Sequence, residues 1–297
     1  MTATRRLIVN GDDFGLTPGV NAGIVDAHRR GILTSASVFA NAPATAEALA
    51  IARRTPSLGV GCHLALVDGE PLSPPSTIPT LLRDGRFRPT WTSFAAAVLA
   101  RRIRMDQVER ELSAQIDRVR SSGVRPSHLD AHKHVHACPP VFAVVVALAK
   151  RFGIPRVRIP WERPAAALAF RVGTVSGARR QALENLALTP WAWRDARLLA
   201  AAGLERAPWF LGRVLTGLFD ADSFAALLAS TPPGTSELMM HPGYVDAALH
   251  GVRTRLRSAR AREVALLTSA DARRAIERAG IILVTHRPHS EPHSHAS

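Results

Sequence analysis

Four short stretches of the chain carry side chains able to hold a metal or move a proton. The first is Asn10-Gly11-Asp12-Asp13-Phe14-Gly15. Of two adjacent carboxylates, one can ligate a hard or borderline cation while its neighbour takes a proton from water. Taken alone, the pair reads first as an Asx turn or a helix N-cap. The second stretch is Gly61-Cys62-His63-Leu64, whose lone histidine, taken alone, reads as a satisfied core or turn residue sooner than as a ligand. The third, His128-Leu129-Asp130-Ala131-His132-Lys133-His134-Val135-His136, is denser, with four histidines and an aspartate within nine residues. Imidazole is the commonest protein metal ligand, and a cluster this dense would repel itself once protonated. Metal binding is therefore its natural use. The fourth is Met240-His241-Pro242-Gly243-Tyr244. A histidine there can protonate a departing amine because its pKa lies near neutrality, although by itself it reads as a turn histidine.

Together the four stretches define a reaction class. A carboxylate and two histidines leave metal positions open for water and substrate. Such a site suits hydrolysis of an amide or ester. The chain has no Gly-x-Ser-x-Gly elbow and no Walker loop, which removes serine-hydrolase and P-loop readings. Phosphoester hydrolysis and metal-retaining carbohydrate or lipid binding without turnover stay open. Cys62 and Cys138 form no Cys-x-x-Cys pair and read as core thiols.

Each stretch follows or ends an apolar run. Leu7–Asn10, Ile32–Phe39, Leu58–Leu66, Ser127–Asp130, Val157–Ile159, Ser236–Met240 and Ile281–Val284 read as strands. Helical spacing fills Val20–Arg30, Ala44–Arg54, Met105–Ser121, Pro139–Phe152, Asp222–Ser230, Arg257–Leu267 and Ala270–Ala279. Strands alternating with helices indicate parallel βαβ units, and continuously apolar strands indicate a sheet covered on both faces. In such folds the strand C-termini face the ligand crevice. The reading is an α/β protein with one domain over residues 1–285. Asp68–Thr92, rich in Pro, Gly and Ser, reads as a long loop. Residues 160–218 read as a basic, Trp-containing helical insertion. Residues 286–297, with four histidines and two prolines, read as a disordered tail.

Composition sets outer limits. No apolar run reaches the roughly 18 residues of a membrane span, and the N-terminus lacks a signal-peptide pattern. With only two cysteines, a cytoplasmic location is expected. The net charge of +14 is almost wholly arginine, since Lys133 and Lys150 are the only lysines. It fits either base composition of the genome or peripheral contact with an anionic membrane surface. Nucleic acid is not expected as a partner, because no helix-turn-helix, zinc finger or aromatic-basic interleaving is present.

At these motifs the sequence resembles the YdjC-like carbohydrate deacetylases, which include the chitooligosaccharide deacetylases. The similarity runs from about Leu7 to Val284 through the four motifs in order. The resemblance implies a (β/α)-barrel-like fold, a distorted TIM barrel, and N-deacetylation dependent on one divalent metal ion. Zinc, cobalt, nickel, manganese and magnesium are not distinguished. It implies Asp13, His63 and His132 as metal ligands and Asp12 as general base. His241 would be the acid for the amine, with Arg158 and His134 contacting substrate. Residues 195–210 and 232–238 further resemble the hopanoid-biosynthesis-associated subgroup. That likeness implies an N-acetylglucosaminyl hopanoid as the N-acetylated, lipid-linked substrate, with soluble chitooligosaccharides as the alternative.

Overall fold

A computed structural model of the chain describes residues 4–163, 175 and 177–287. Strand β1 (Arg5–Phe14) is buried over its last eight residues, as a strand covered on both faces must be. Helix α1 (Pro18–Arg30) starts where Thr17 caps the Val20 N–H and Pro18 occupies the first turn, a position that needs no N–H donor. Then follow β2 (Ser35–Phe39), α2 (Thr45–Arg54) and β3 (Gly59–Leu64). Residues 68–92 are more ordered than a plain loop: they contain the hairpin β4 (Leu82–Arg83) and β5 (Arg86–Phe87) and run into α3 (Trp91–Leu99).

The chain continues through α4 (Met105–Ser121), β6 (His128–Ala131), α5 (Pro139–Phe152) and β7 (Arg156–Val157). Next come α6 (Ala178–Ala187), α7 (Thr189–Ala201), β8 (Trp209–Leu211) and α8 (Ala221–Ala229). The last elements are β9 (Gly234–Met240), α9 (Ala247–His250), α10 (Ser258–Thr268), α11 (Ala270–Arg278) and β10 (Ile281–Leu283). No helix among the described residues is long and apolar enough to cross a membrane.

The main sheet runs β7-β6-β3-β2-β1-β9-β8, and every pairing in it is parallel. Strand β10 adds to the first half of β1, pairing Arg5 with Ile281, before β2 takes over at Asn10. The sheet is curled. Arg158 lies just past the edge strand β7, four places from β1, which in a flat sheet would be about 19 Å away. Its guanidinium nevertheless bonds the Asp12 carboxylate at 2.7 and 2.8 Å. Only a half-barrel brings the two together, and all the strand C-termini then open at one end.

Several strand ends shift from the sequence reading, β1 running on to Phe14 rather than stopping at Asn10 and β7 covering Arg156–Val157 rather than 157–159, and two differences go further. The stretch 160–218 is not purely a helical insertion, since β8 pairs in register with β9, Trp209 opposite Ser236. At three residues, β8 is too short for periodicity to reveal. The second difference is His286, expected in a disordered tail. It is 2% exposed and stacks on His128 at 3.7 Å between ring centroids. Its carbonyl accepts from Arg156 at 2.7 Å, so the ordered chain extends past Thr285. Residues 288–297 lie outside the described residues.

Glu162 ties α6 and the chain after β8 to the barrel. Its N–H and C=O bond the Asn185 side chain at 2.9 and 2.6 Å, and its carboxylate accepts from the Val214 N–H at 3.1 Å. Burial pushes Glu162 from 4.5 up to about 7. A raised carboxylate costs nothing below its unfolded pKa, and the penalty grows between pH 4.5 and 7. Glu162→Gln should therefore stabilise the fold at pH 8 by up to about 3 kcal/mol and leave it unchanged at pH 4.5. Thermal unfolding of both chains at the two pH values measures this. Equal effects at both would mean that no ionisation penalty exists.

Candidate active site

The strand C-termini open into a cavity of about 880 Å³ that reaches Asp12, Asp13, His63, His132, His134 and His241. Asp12 and Asp13 end β1, and Asp13 sits at φ +70°. This left-handed conformation is uncommon outside glycine and tolerated by Asp. It is a strained geometry of the kind found at functional sites. His63 belongs to β3, and His132 follows β6 in a tight turn. In that turn Lys133 and His134 also have positive φ.

The two adjacent carboxylates have opposite environments. Asp13 Oδ1 lies 3.4 Å from His63 Nε2 and 3.2 Å from His132 Nδ1, while its Oδ2 pairs with buried Arg260. Burial opposes ionisation of Asp13, but Arg260 and the two imidazoles hold its carboxyl well below the usual range. Asp12 is gripped as a fork by Arg158, and its Oδ1 also accepts from Asn10 at 2.9 Å. Burial raises Asp12; Arg158 lowers it but does not cancel the rise, and Asp130 adds repulsion.

The donor set fits a divalent metal. Asp13, His63 and His132 present one ligand atom each within 4.8 Å of one another. Each imidazole turns its other nitrogen to a carboxylate: His63 Nδ1 to Asp130 at 2.9 Å, His132 Nε2 to Asp68 at 3.5 Å. Such partners fix ring orientation and tautomer in metal sites. Burial lowers His63, but Asp130, Asp13 and Asp12 together raise it to about 10. The cluster is thus negative enough to retain a proton where a cation would sit. A second grouping, Asp12, His63 and Asp130, is as tightly clustered. Its carboxylates are already engaged by Arg158, and Asp130 also accepts from Ser37 at 2.6 Å.

His241 follows β9 and reaches the same cavity. Its N–H donates to Glu263 at 2.5 Å, and its Nδ1 has no partner. The Pro-Gly that follows is steric. A Cβ on Gly23 of α1 would lie 2.4 Å from the Gly243 Cα, so helix and loop meet backbone to backbone. Burial pulls His241 down to about 3, so it is neutral at rest. His134 lines the cavity, and burial, with Arg213 nearby, keeps it neutral.

Arg158, expected to touch substrate, does not line the cavity. Its side chain is 0% exposed and is taken up by Asp12, Asp130 and Glu237. Remoteness along the sequence hid this, since the three carboxylates come from three other strands. His128 and His136 are likewise structural. His128 bonds the Ser37 and Ser127 hydroxyls, and His136 Nε2 lies 2.9 Å from the Arg158 carbonyl. Cys62 and Cys138 are buried and unbridged, and burial raises both thiols, Cys138 to about 11.

The sequence reading missed Asp68, Arg260 and Arg213. Asp68 opens the segment read as a long loop, and Arg260 lies among several arginines in the stretch read as helix Arg257–Leu267. Arg213 lines the cavity, and its side chain makes no hydrogen bond or ion pair among the described residues. No local pattern marks it.

Comparison with known proteins gives a consistent picture. The model of the family described as YdjC-like protein matches residues 6–278. The carbohydrate deacetylase of Geobacillus stearothermophilus is 34% identical over 285 residues, 95% of this chain and 97% of that protein. The chitooligosaccharide deacetylase of Klebsiella pneumoniae (strain 342) is 33% identical over 285 residues, covering 95% and 98%. The crystal structure of a candidate cellobiose-phosphate cleavage protein from Enterococcus faecalis V583 superposes with a TM-score of 0.77 at 27% identity, covering 96% and 98%.

Proposed function

The chain belongs to the YdjC-like protein family, and on that premise we propose that it is a metal-dependent N-deacetylase. Its reaction would hydrolyse the acetamide of an N-acetylglucosaminyl glycoconjugate to a glucosaminyl product and acetate. The observation that carries this reading is the divergence of two neighbouring carboxylates, Asp13 held ionised and Asp12 raised. Paired groups driven apart in this way divide into ligand and base.

Asp13, His63 and His132 would hold one divalent ion, whether zinc, cobalt, nickel, manganese or magnesium. Bound there, the ion would polarise the acetamide carbonyl and make a water more acidic. Asp12 would take the proton from that water, its orientation set by the Arg158 fork. His241 enters neutral, so it would relay a proton to the departing amine rather than supply a stored one. His134 and Arg213 face the cavity and would meet sugar oxygens, whereas Arg158 acts from behind Asp12.

The substrate is proposed to carry an apolar aglycone, as an N-acetylglucosaminyl hopanoid does. Trp91, Leu188, Trp191 and Leu256 along the cavity support this. The helices forming that wall also expose Leu183 (69%), Leu186 (53%) and Trp193 (61%) beside Arg180 and Arg194. Apolar and cationic side chains together suit peripheral contact with an anionic membrane, on the cytoplasmic face. The alternative, a soluble chitooligosaccharide, is supported by the activity named for the Klebsiella relative.

Acetate release from the N-acetylglucosaminyl hopanoid in anionic vesicles and from a chitin oligomer tests both. Release from the hopanoid alone is the expected result, and release from the oligomer alone moves the protein to soluble sugars. Sugar binding without release from either would make it a binding protein.

A further inference from the structure

A glutamate in the middle of a buried strand needs a reason, because an ionised carboxylate out of water is costly unless paired. Glu237 is 1% exposed within β9. Its Oε1 accepts from Arg158 Nε at 2.7 Å. The guanidinium is thus held on two edges. Nη1 and Nη2 face Asp12, with Nη1 also 2.7 Å from Asp130, while Nε faces away toward Glu237. Behind Glu237 stands His286, its Nε2 3.5 Å from the same Oε1. His286 is stacked on His128, which two serine hydroxyls pin. The carboxylate therefore has little room to turn.

We propose that Glu237 is a positioning residue for the reaction: by fixing Nε it sets the plane of the Arg158 guanidinium and so the orientation of Asp12. The proposal rests on the deacetylase reading, in which Asp12 is the base. Asn10 holds one oxygen of Asp12, but one bond leaves the carboxylate free to turn about it. The plane of the fork is set from the arginine side, where Glu237 and Asp130 hold the guanidinium. Burial opposes ionisation of Glu237, yet Arg158 and His286 hold it down at about 2, so the anchor is charged at any working pH. A guanidinium is suited to such use because its donors form a rigid planar fork, which a lysine lacks.

The test compares wild type with Glu237→Ala, Glu237→Gln, Arg158→Lys and the Glu237→Ala/Arg158→Lys double variant. Glu237→Ala should lower kcat about tenfold, the kind of loss a small misplacement causes, with KM and bound metal unchanged. Glu237→Gln keeps an oxygen for Nε and should recover most of kcat. In the Arg158→Lys background, removing Glu237 should cost little more, because the interaction is already gone. Losses that multiply in the double variant, or a Gln variant no better than Ala, would overturn the proposal.

One readout needs no turnover. The Arg158 Nε–H resonance should exchange slowly with solvent in wild type and in Glu237→Gln, and fast in Glu237→Ala. A wild-type chain that releases no acetate would refute the deacetylase reading. The exchange measurement would then decide the anchoring on its own: equal exchange in all three chains refutes it.

Discussion

Asp12→Asn is expected to lower kcat for acetate release by about three orders of magnitude, within the range a general base contributes, while leaving the chain folded and metal-competent. Asparagine keeps the shape and one oxygen for the Arg158 fork but cannot take a proton. Arg158 retains Asp130 and Glu237 as ionised partners, so no buried cation is left uncompensated. The ligand atoms of Asp13, His63 and His132 are untouched. Asp13→Asn should behave differently, losing metal and activity together, because it removes the charge facing both imidazoles and leaves Arg260 without its carboxylate. Metal content measured alongside kcat separates the two roles. Metal loss in Asp12→Asn with retention in Asp13→Asn would exchange base and ligand.

Dialysis against a chelator should abolish turnover, and zinc, cobalt, nickel or manganese should restore it. Two imidazole ligands make magnesium the poorest of the five. Stripping should also lower the thermal midpoint. An ion present at a hundredfold its Kd adds about 2.7 kcal/mol to the folded state, and the emptied cluster crowds Asp12, Asp13 and Asp130 together. Asp130→Asn should weaken metal binding by about 10- to 100-fold, the usual cost of losing the partner of a ligating histidine, since His63 Nδ1 loses its carboxylate. Full activity in metal-free protein would remove the metal from the mechanism. A normal affinity in Asp130→Asn would show that His63 is oriented by its packing against Phe39, 4.8 Å away.

The chain's sequence by itself determined the α/β fold and which acidic and histidine side chains lie toward the C-terminal ends of its strands. These features are local. Apolar runs such as Leu7–Val9 specify a covered strand, and a residue placed just after one is delivered to the strand's C-terminal end. Asp12, Asp13, His63, His132 and His241 were all legible for that reason, and the structure gathers them around one cavity. Helices α4 and α5 were legible to the residue, because 17 and 14 residues give periodicity room to show.

Only the tertiary structure decided what those residues touch. The curl of the sheet turns Arg158 from a strand-end residue facing substrate into a buried clamp on Asp12, Asp130 and Glu237. It also brings Arg260 to Asp13 across 247 positions of sequence and closes His286 onto His128. Side-chain pairing at such separations depends on how far strands bend and on which groups lose water together. Neither quantity is written in the spacing of residues along one segment. The difference between the two neighbouring aspartates, on which the proposed chemistry turns, exists only once the sheet has curled around them.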